Sequence, residues 1–232
     1  MSEGATTADD ANGRASYRLW LWLGLVALLA AVAYGSRAGA STDTQSALYE
    51  WATAAGAVVQ DAIVLGLVLA IVRGRYGLLA LRRPSTTLGR TLLVLLAALV
   101  AVYAWEGIYS AVAHPGNEQG LTPDRWEPAH AAAYVVNGIV ICTWIPFVEE
   151  LTFRGLGFAV LERFGRLPAI LGVGIAFGLA HGLVVSLPII VAFGCVLAWV
   201  RARTSSVLPG MLLHASFNLI ALVAAVTIKT AT

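Results

Sequence analysis

Residues 129–164 read AHAAAYVVNGIVICTWIPFVEELTFRGLGFAVLERF. As far as Phe147 this is an unbroken apolar run of the length that crosses a bilayer as a helix, which takes about 20 residues. Periodic apolar character then continues past Glu149, Glu150 and Arg154 to Phe164, so charged side chains lie inside a segment otherwise suited to hydrocarbon. The whole stretch is too long for one straight span. Pro146 has no N–H and its ring clashes with the preceding turn, so a kinked or broken helix is expected just before the carboxylates.

Outward from this stretch, further apolar runs occupy Tyr17–Gly35, Leu48–Val72 and Leu88–Ala113 on one side, and Pro168–Leu183, Leu187–Val200 and Val207–Ile228 on the other. Hydrophobic residues make up 59% of the 232-residue chain and charged residues 12%, with a mean hydropathy of +0.79. A soluble domain carries about 25% charged residues, so water is not the main solvent here. The expected fold is all-α, a polytopic transmembrane bundle of about seven spans, with an eighth helix as the alternative if the chain crosses again after Pro146. Met1–Ser16 is small and polar and reads as a disordered tail ahead of an integral membrane domain over residues 17–232. The region before the first run is net acidic and the run is long for a signal segment, so it is expected to stay as a span.

Charge placement reports topology. Arg73, Arg75, Arg82, Arg83 and Arg90 fall in one loop, whereas the loop with Glu118, Asp124 and Glu127 holds only Arg125. The first is expected to be cytoplasmic, with a cytoplasmic amino terminus; a seven-span count then also places Arg163 and Arg166, and Arg201 and Arg203, on that side. An extra full crossing after Pro146 inverts the last two groups, which favours a bent helix. The cell membrane is the expected location, and the basic loop suits anionic lipid headgroups. A net charge of +2 with no basic face argues against nucleic-acid binding. Cys142 and Cys195 lie in apolar runs without C-x-x-C spacing and read as structural thiols.

A charge at membrane depth costs about 2.5–3.5 kcal/mol on insertion scales, so each needs a partner or a purpose. Three patterns collect such groups: Glu149, Glu150 and Arg154 as E-E-x-x-x-R, Phe177 and His181 as F-x-x-x-H, and His214 and Asn218 as H-x-x-x-N. The spacing of four puts the ends of each pattern on one helical face, one turn apart. Glu150 and Arg154 are spaced for an ion pair; Glu149, rotated by about 100°, faces elsewhere. Hydrolysis of a peptide bond by water needs a base for the water's proton, donors for the oxyanion and an acid for the leaving amine. Glu149 with His181 can serve the water, and His214 with Asn218 can supply donors. Arg154 and Phe177 read as support, the first for Glu150, the second as packing. No nucleophilic serine elbow, catalytic cysteine setting or H-E-x-x-H motif occurs. A zinc variant stays open, with Glu149, His181 and His214 as ligands and an open fourth position.

The three patterns, in this order on successive late helices, resemble the CAAX-processing and bacteriocin-processing (CPBP, or Abi) family, which includes the eukaryotic prenyl-protein endopeptidases. The resemblance covers about Trp144–Leu219. It implies an intramembrane endopeptidase acting on a membrane-associated protein or peptide, in which Glu149 activates water with His181, and His214 and Asn218 form the oxyanion site. Glu150 falls in the same catalytic set by its motif position. The family is often labelled metalloprotease, and a metal-free glutamate mechanism has also been argued for it. The rival reading is a non-enzymatic membrane protein, a transporter, scaffold or bacteriocin-immunity factor that keeps this polar site; the paired halves of a transporter are not evident in the sequence.

Other polar residues in apolar runs, Asp61, Glu106 and Asn137, read as interhelical contacts or the lining of a water path. Trp20, Trp22, Trp105, Trp126 and Trp199 lie near or within span ends, where interfacial anchoring is expected.

Overall fold

The structure is a computed structural model. It describes residues 3–39, 47–115, 118, 123 and 126–227, of which 3–15 and Gly39 as backbone only. Asp124, Arg125 and Ile228, named above in the acidic loop and the last run, lie outside the described residues.

Seven helices carry the described architecture. They are α1 (Glu3–Gly39), α2 (Trp51–Val72), α3 (Leu88–Ala113), α4 (Pro128–Phe164), α5 (Arg166–Ala180), α6 (Leu187–Thr204) and α7 (Leu208–Thr227). All except α5 contain a stretch long and apolar enough to cross a bilayer, in α1 from Ser16 to Ala38. The chain is thus an integral membrane protein, and its exterior agrees: Leu88, Leu93, Val100, Ile108 and Val112 on α3 are exposed apolar side chains that hydrocarbon would cover. The backbone of α1 is helical from Glu3, through the stretch expected to be a tail.

The eighth helix does not form. Through Pro146 the backbone stays helical, and the irregularity takes another form: π-helical turns over Val140–Trp144 and Glu150–Gly157 flank the proline. A π-turn shifts the hydrogen-bond register by one residue, which accommodates the missing proline N–H without ending the helix. All eight residues of the second π-stretch are buried. Here α4 is enclosed by α1, α2, α5 and α7, and Gly155 packs against the backbone of Leu79 in the short turn Tyr76–Leu79.

The run expected to extend from Pro168 to Leu183 stops as a helix at Ala180. Gly182 has φ +64°, a left-handed turn that suits glycine, and a Cβ there would lie 2.7 Å from the carbonyl carbon of Ala33 on α1. At 15 residues α5 is roughly 22 Å long, shorter than the hydrocarbon core, so its end and His181 stay within the fold. Glycines on α5 and α6 bring the two backbones together: a Cβ on Gly194 would meet the Cα of Gly174 at 2.9 Å.

Trp22 corrects its expected role. It is 1% exposed, donates from Nε1 to the carbonyl of Thr152 at 3.0 Å, and lies over Gly157, so it fastens α1 to the π-stretch of α4. Trp20 is exposed, as an interfacial residue should be. Cys142 and Cys195 are free and half-buried.

The basic loop after α2 and the α6–α7 turn share one end of the bundle. Arg82 donates from Nε to the carbonyl of Ser205 at 2.9 Å, and the amide of Ser85 to that of Thr204 at 2.8 Å. At the opposite end Glu118 accepts backbone N–H groups from Val184 (2.7 Å), Val185 (3.2 Å) and Ser186 (2.6 Å), tying the α3–α4 loop to the start of α6.

Candidate active site

The two adjacent glutamates sit at the junction of the α-helical turn Ile145–Glu149 and the π-stretch, and they point in different directions. Glu150 has no exposure; its Oε1 accepts from Nη1 of Arg154 at 2.9 Å, one helical turn on. Arg154, equally enclosed, donates from Nη2 to the carbonyl of Gly194 on α6 at 3.1 Å, and its guanidinium lies 4.2 Å from the ring centroid of Phe177. This cluster leaves no room beneath it: a Cβ on Gly210 would sit 2.6 Å from Oε2 of Glu150. Glu150 is absent from the described lining of the cavity beside it, so its position is that of a positioning residue for its neighbours.

Glu149 faces the other way, into a cavity of about 330 Å³. His181 presents Nε2 at 3.8 Å from Glu149 Oε1, and His214 presents Nε2 at 3.6 Å from Glu149 Oε2. The outer nitrogens of both rings are held. His181 Nδ1 lies 2.7 Å from the carbonyl of Phe177, which can only accept, so this nitrogen carries the hydrogen. His214 Nδ1 lies 3.4 Å from Oε1 of Glu150, a carboxylate that accepts in the same way. In their neutral forms both rings therefore turn an acceptor lone pair towards Glu149, an arrangement suited to a group between them that donates, such as water. His214 becomes a donor at Nε2 when both ring nitrogens carry hydrogen, with Glu150 as the counter-charge to Nδ1.

Phe177 underlies both histidines, its centroid 4.4 Å from that of His181 and 5.9 Å from that of His214. Phe193 adds an edge contact to His214 at 5.1 Å. Asn218, one turn beyond His214, lines the cavity and donates from Nδ2 to the carbonyl of Ile141 at 2.8 Å, inside the first π-turn of α4. One hydrogen of its amide group is thus engaged and the other is free to face the cavity.

The three motifs are brought together around one cavity, yet the ligand set considered for zinc is not gathered as a metal site. Among the described residues no three of His, Cys, Asp and Glu are grouped closely enough to hold a metal ion. Of the other polar residues, Asn137 donates to the carbonyls of Leu48 (3.1 Å) and Glu50 (2.9 Å) and is interhelical support. Asp61 instead lines the cavity, as do Gln60 and Arg37, which sequence reasoning left aside. Arg37 sits at the outer end of α1, where a cation reads as an ordinary solvated flank, and its Nη2 donates to the Glu118 carbonyl at 3.1 Å.

A polytopic helical membrane protein with a carboxylate and two imidazoles meeting at one cavity is the class this fold and site define. Residues 131–220 match the family described as type II CAAX prenyl endopeptidase Rce1-like. No curated protein and no solved structure matches the chain. The matched segment contains every residue of the three motifs; α1, α2 and α3 lie outside it.

Proposed function

We propose that the chain is an intramembrane endopeptidase that hydrolyses a peptide bond of a membrane-associated protein or peptide with water activated by Glu149. The observation that carries this is the position of the Glu149 carboxylate, turned into the cavity with the Nε2 atoms of His181 and His214 at 3.8 and 3.6 Å. Glu149 takes a proton from the water as it attacks the scissile carbonyl, with His181 orienting the same water. The second amide hydrogen of Asn218 and a doubly protonated His214 stabilise the oxyanion. Glu149 then returns the proton to the leaving nitrogen. Glu150 and Arg154 act indirectly, by holding His214 and the helix face that aims Glu149.

The basic end of the bundle, with Arg73, Arg75, Arg82 and Arg83 beside the α6–α7 turn, is the cytoplasmic end in this reading, which puts the amino terminus in the cytoplasm of a cell-membrane protein. Purified protein in detergent, incubated with a peptide library, tests the activity. Glu149→Ala and His214→Ala should each abolish the cleavage that wild type performs. Cleavage undiminished in both variants overturns the assignment, and absence of cleavage by wild type favours the non-enzymatic reading. Loss with a chelator, restored by zinc, argues for a metal at Glu149, His181 and His214.

A further inference from the structure

The reaction proposed for this cavity starts from a water with two hydrogens, and Glu149 accounts for one. The adjacent carboxylate, Glu150, is closed off by Arg154 and His214. The cavity nevertheless contains a second carboxylate from a distant part of the chain. Asp61 on α2 is 8% exposed and lines the same space as Glu149. Its Oδ2 is buried with no hydrogen-bond partner, as is Oε2 of Glu149. A buried carboxylate oxygen that no protein donor reaches is unfavourable, and such groups in native proteins usually have a functional reason. No cation offers itself as a fixed partner: the charged and titratable groups facing the cavity alongside Asp61 are Arg37 of α1, Glu149 of α4, His181 at the end of α5 and His214 of α7, and no ion pair to Asp61 forms among the described residues.

Resting on the endopeptidase reading, we infer that Asp61 is a second carboxylate of the reaction, its Oδ2 sharing with Nε2 of His181 the second hydrogen of the water that Glu149 activates. Acceptors on separate helices fix the plane of the water, so that its lone pair points at the scissile carbonyl, and orientation of this kind lowers the barrier. The water oxygen bonds to the carbonyl carbon while one hydrogen passes to Glu149. The other stays on the new hydroxyl, held by Asp61. On collapse the C–N bond breaks, the nitrogen takes the proton from Glu149, and the products are a carboxylic acid and an amine.

The test pairs kinetics with binding of a peptidyl trifluoromethyl ketone, whose hydrate carries two hydroxyls on a tetrahedral carbon like the intermediate. Asp61→Leu should lower kcat about hundredfold with KM changed by less than about twofold, and weaken the ketone by a similar factor. Asp61→Asn, close in shape and still able to accept at its amide oxygen, should fall between, and it carries the test alone should Asp61→Leu not fold. Asp61 variants that melt at a lower temperature but keep wild-type kcat and ketone affinity would show a purely structural role and overturn the inference. The two readings fail separately. A wild type that neither cleaves peptides nor binds the ketone defeats the endopeptidase reading, whereas a wild type that does both, matched by its Asp61 variants, defeats only the role of Asp61.

Discussion

Glu149 and Glu150 are consecutive residues of one helix, yet they occupy two different regions of the molecule. Glu149 opens onto a cavity shared with His181, His214 and Asp61, while Glu150, without exposure, is closed in by Arg154, His214 and Gly210. One carboxylate is placed at a cavity and the other where a fixed counter-charge holds it. The rotation of about 100° per residue allows this, because it turns successive side chains of a helix towards different neighbours. The difference teaches that motif position alone does not assign a catalytic role: both glutamates belong to the same pattern, and only their neighbours separate them.

Exchange of each carboxylate for its amide tests that contrast most sharply. Glu149→Gln should reduce cleavage by about a thousandfold, within the range for loss of a general base, and leave the melting temperature in detergent unchanged. Loss of cleavage in Glu150→Gln but not in Glu149→Gln would reverse the two roles. Next in size, Arg154→Ala leaves Glu150 buried without its partner and should cost about 3–5 kcal/mol of stability, read as a lower denaturation midpoint. The double variant Arg154→Ala, Glu150→Gln should recover part of that loss, since it removes the unpaired charge. Gly210→Ala pushes a methyl group towards Oε2 of Glu150, 2.6 Å from the added carbon, and should cost about 1–3 kcal/mol in the same measurement.

The smallest effect concerns a third carboxylate, Glu118, in the α3–α4 loop. Burial works to raise its pKa, but the N–H groups of Val184, Ser186 and Val185 outweigh this and hold it below its ordinary value of 4.5. A carboxyl with a depressed folded-state pKa contributes stability above its unfolded value and loses it as pH falls through the folded one. The melting temperature should therefore drop as pH falls below about 4.5, and Glu118→Gln should remove this part of the acid sensitivity. An unchanged acid slope in Glu118→Gln would mean that the loop is held by other contacts.

Much of this was legible in the chain itself, for reasons that particular residues make plain. The span positions follow from apolar runs whose length the bilayer sets. The Glu150–Arg154 pair follows from a spacing of four on a helix, and the outward turn of Glu149 from the rotation per residue. Trp22 was misread because an indole near a span end has the same local pattern whether it faces headgroups or, as here, lies buried over Gly157. Asp61 and Asn137 likewise look alike as isolated polar residues in apolar runs. One became interhelical support and the other a cavity wall, through neighbours that only folding supplies.

By itself the sequence determined the solvent, the all-helical class and the residue types able to move a proton, because hydropathy, spacing and side-chain chemistry are local properties. Tertiary structure decided that α4 passes Pro146 through π-turns, that α5 ends at Ala180 with His181 turned to Glu149, and that Asp61 joins them. Those outcomes depend on how closely helices approach one another, which no single segment encodes.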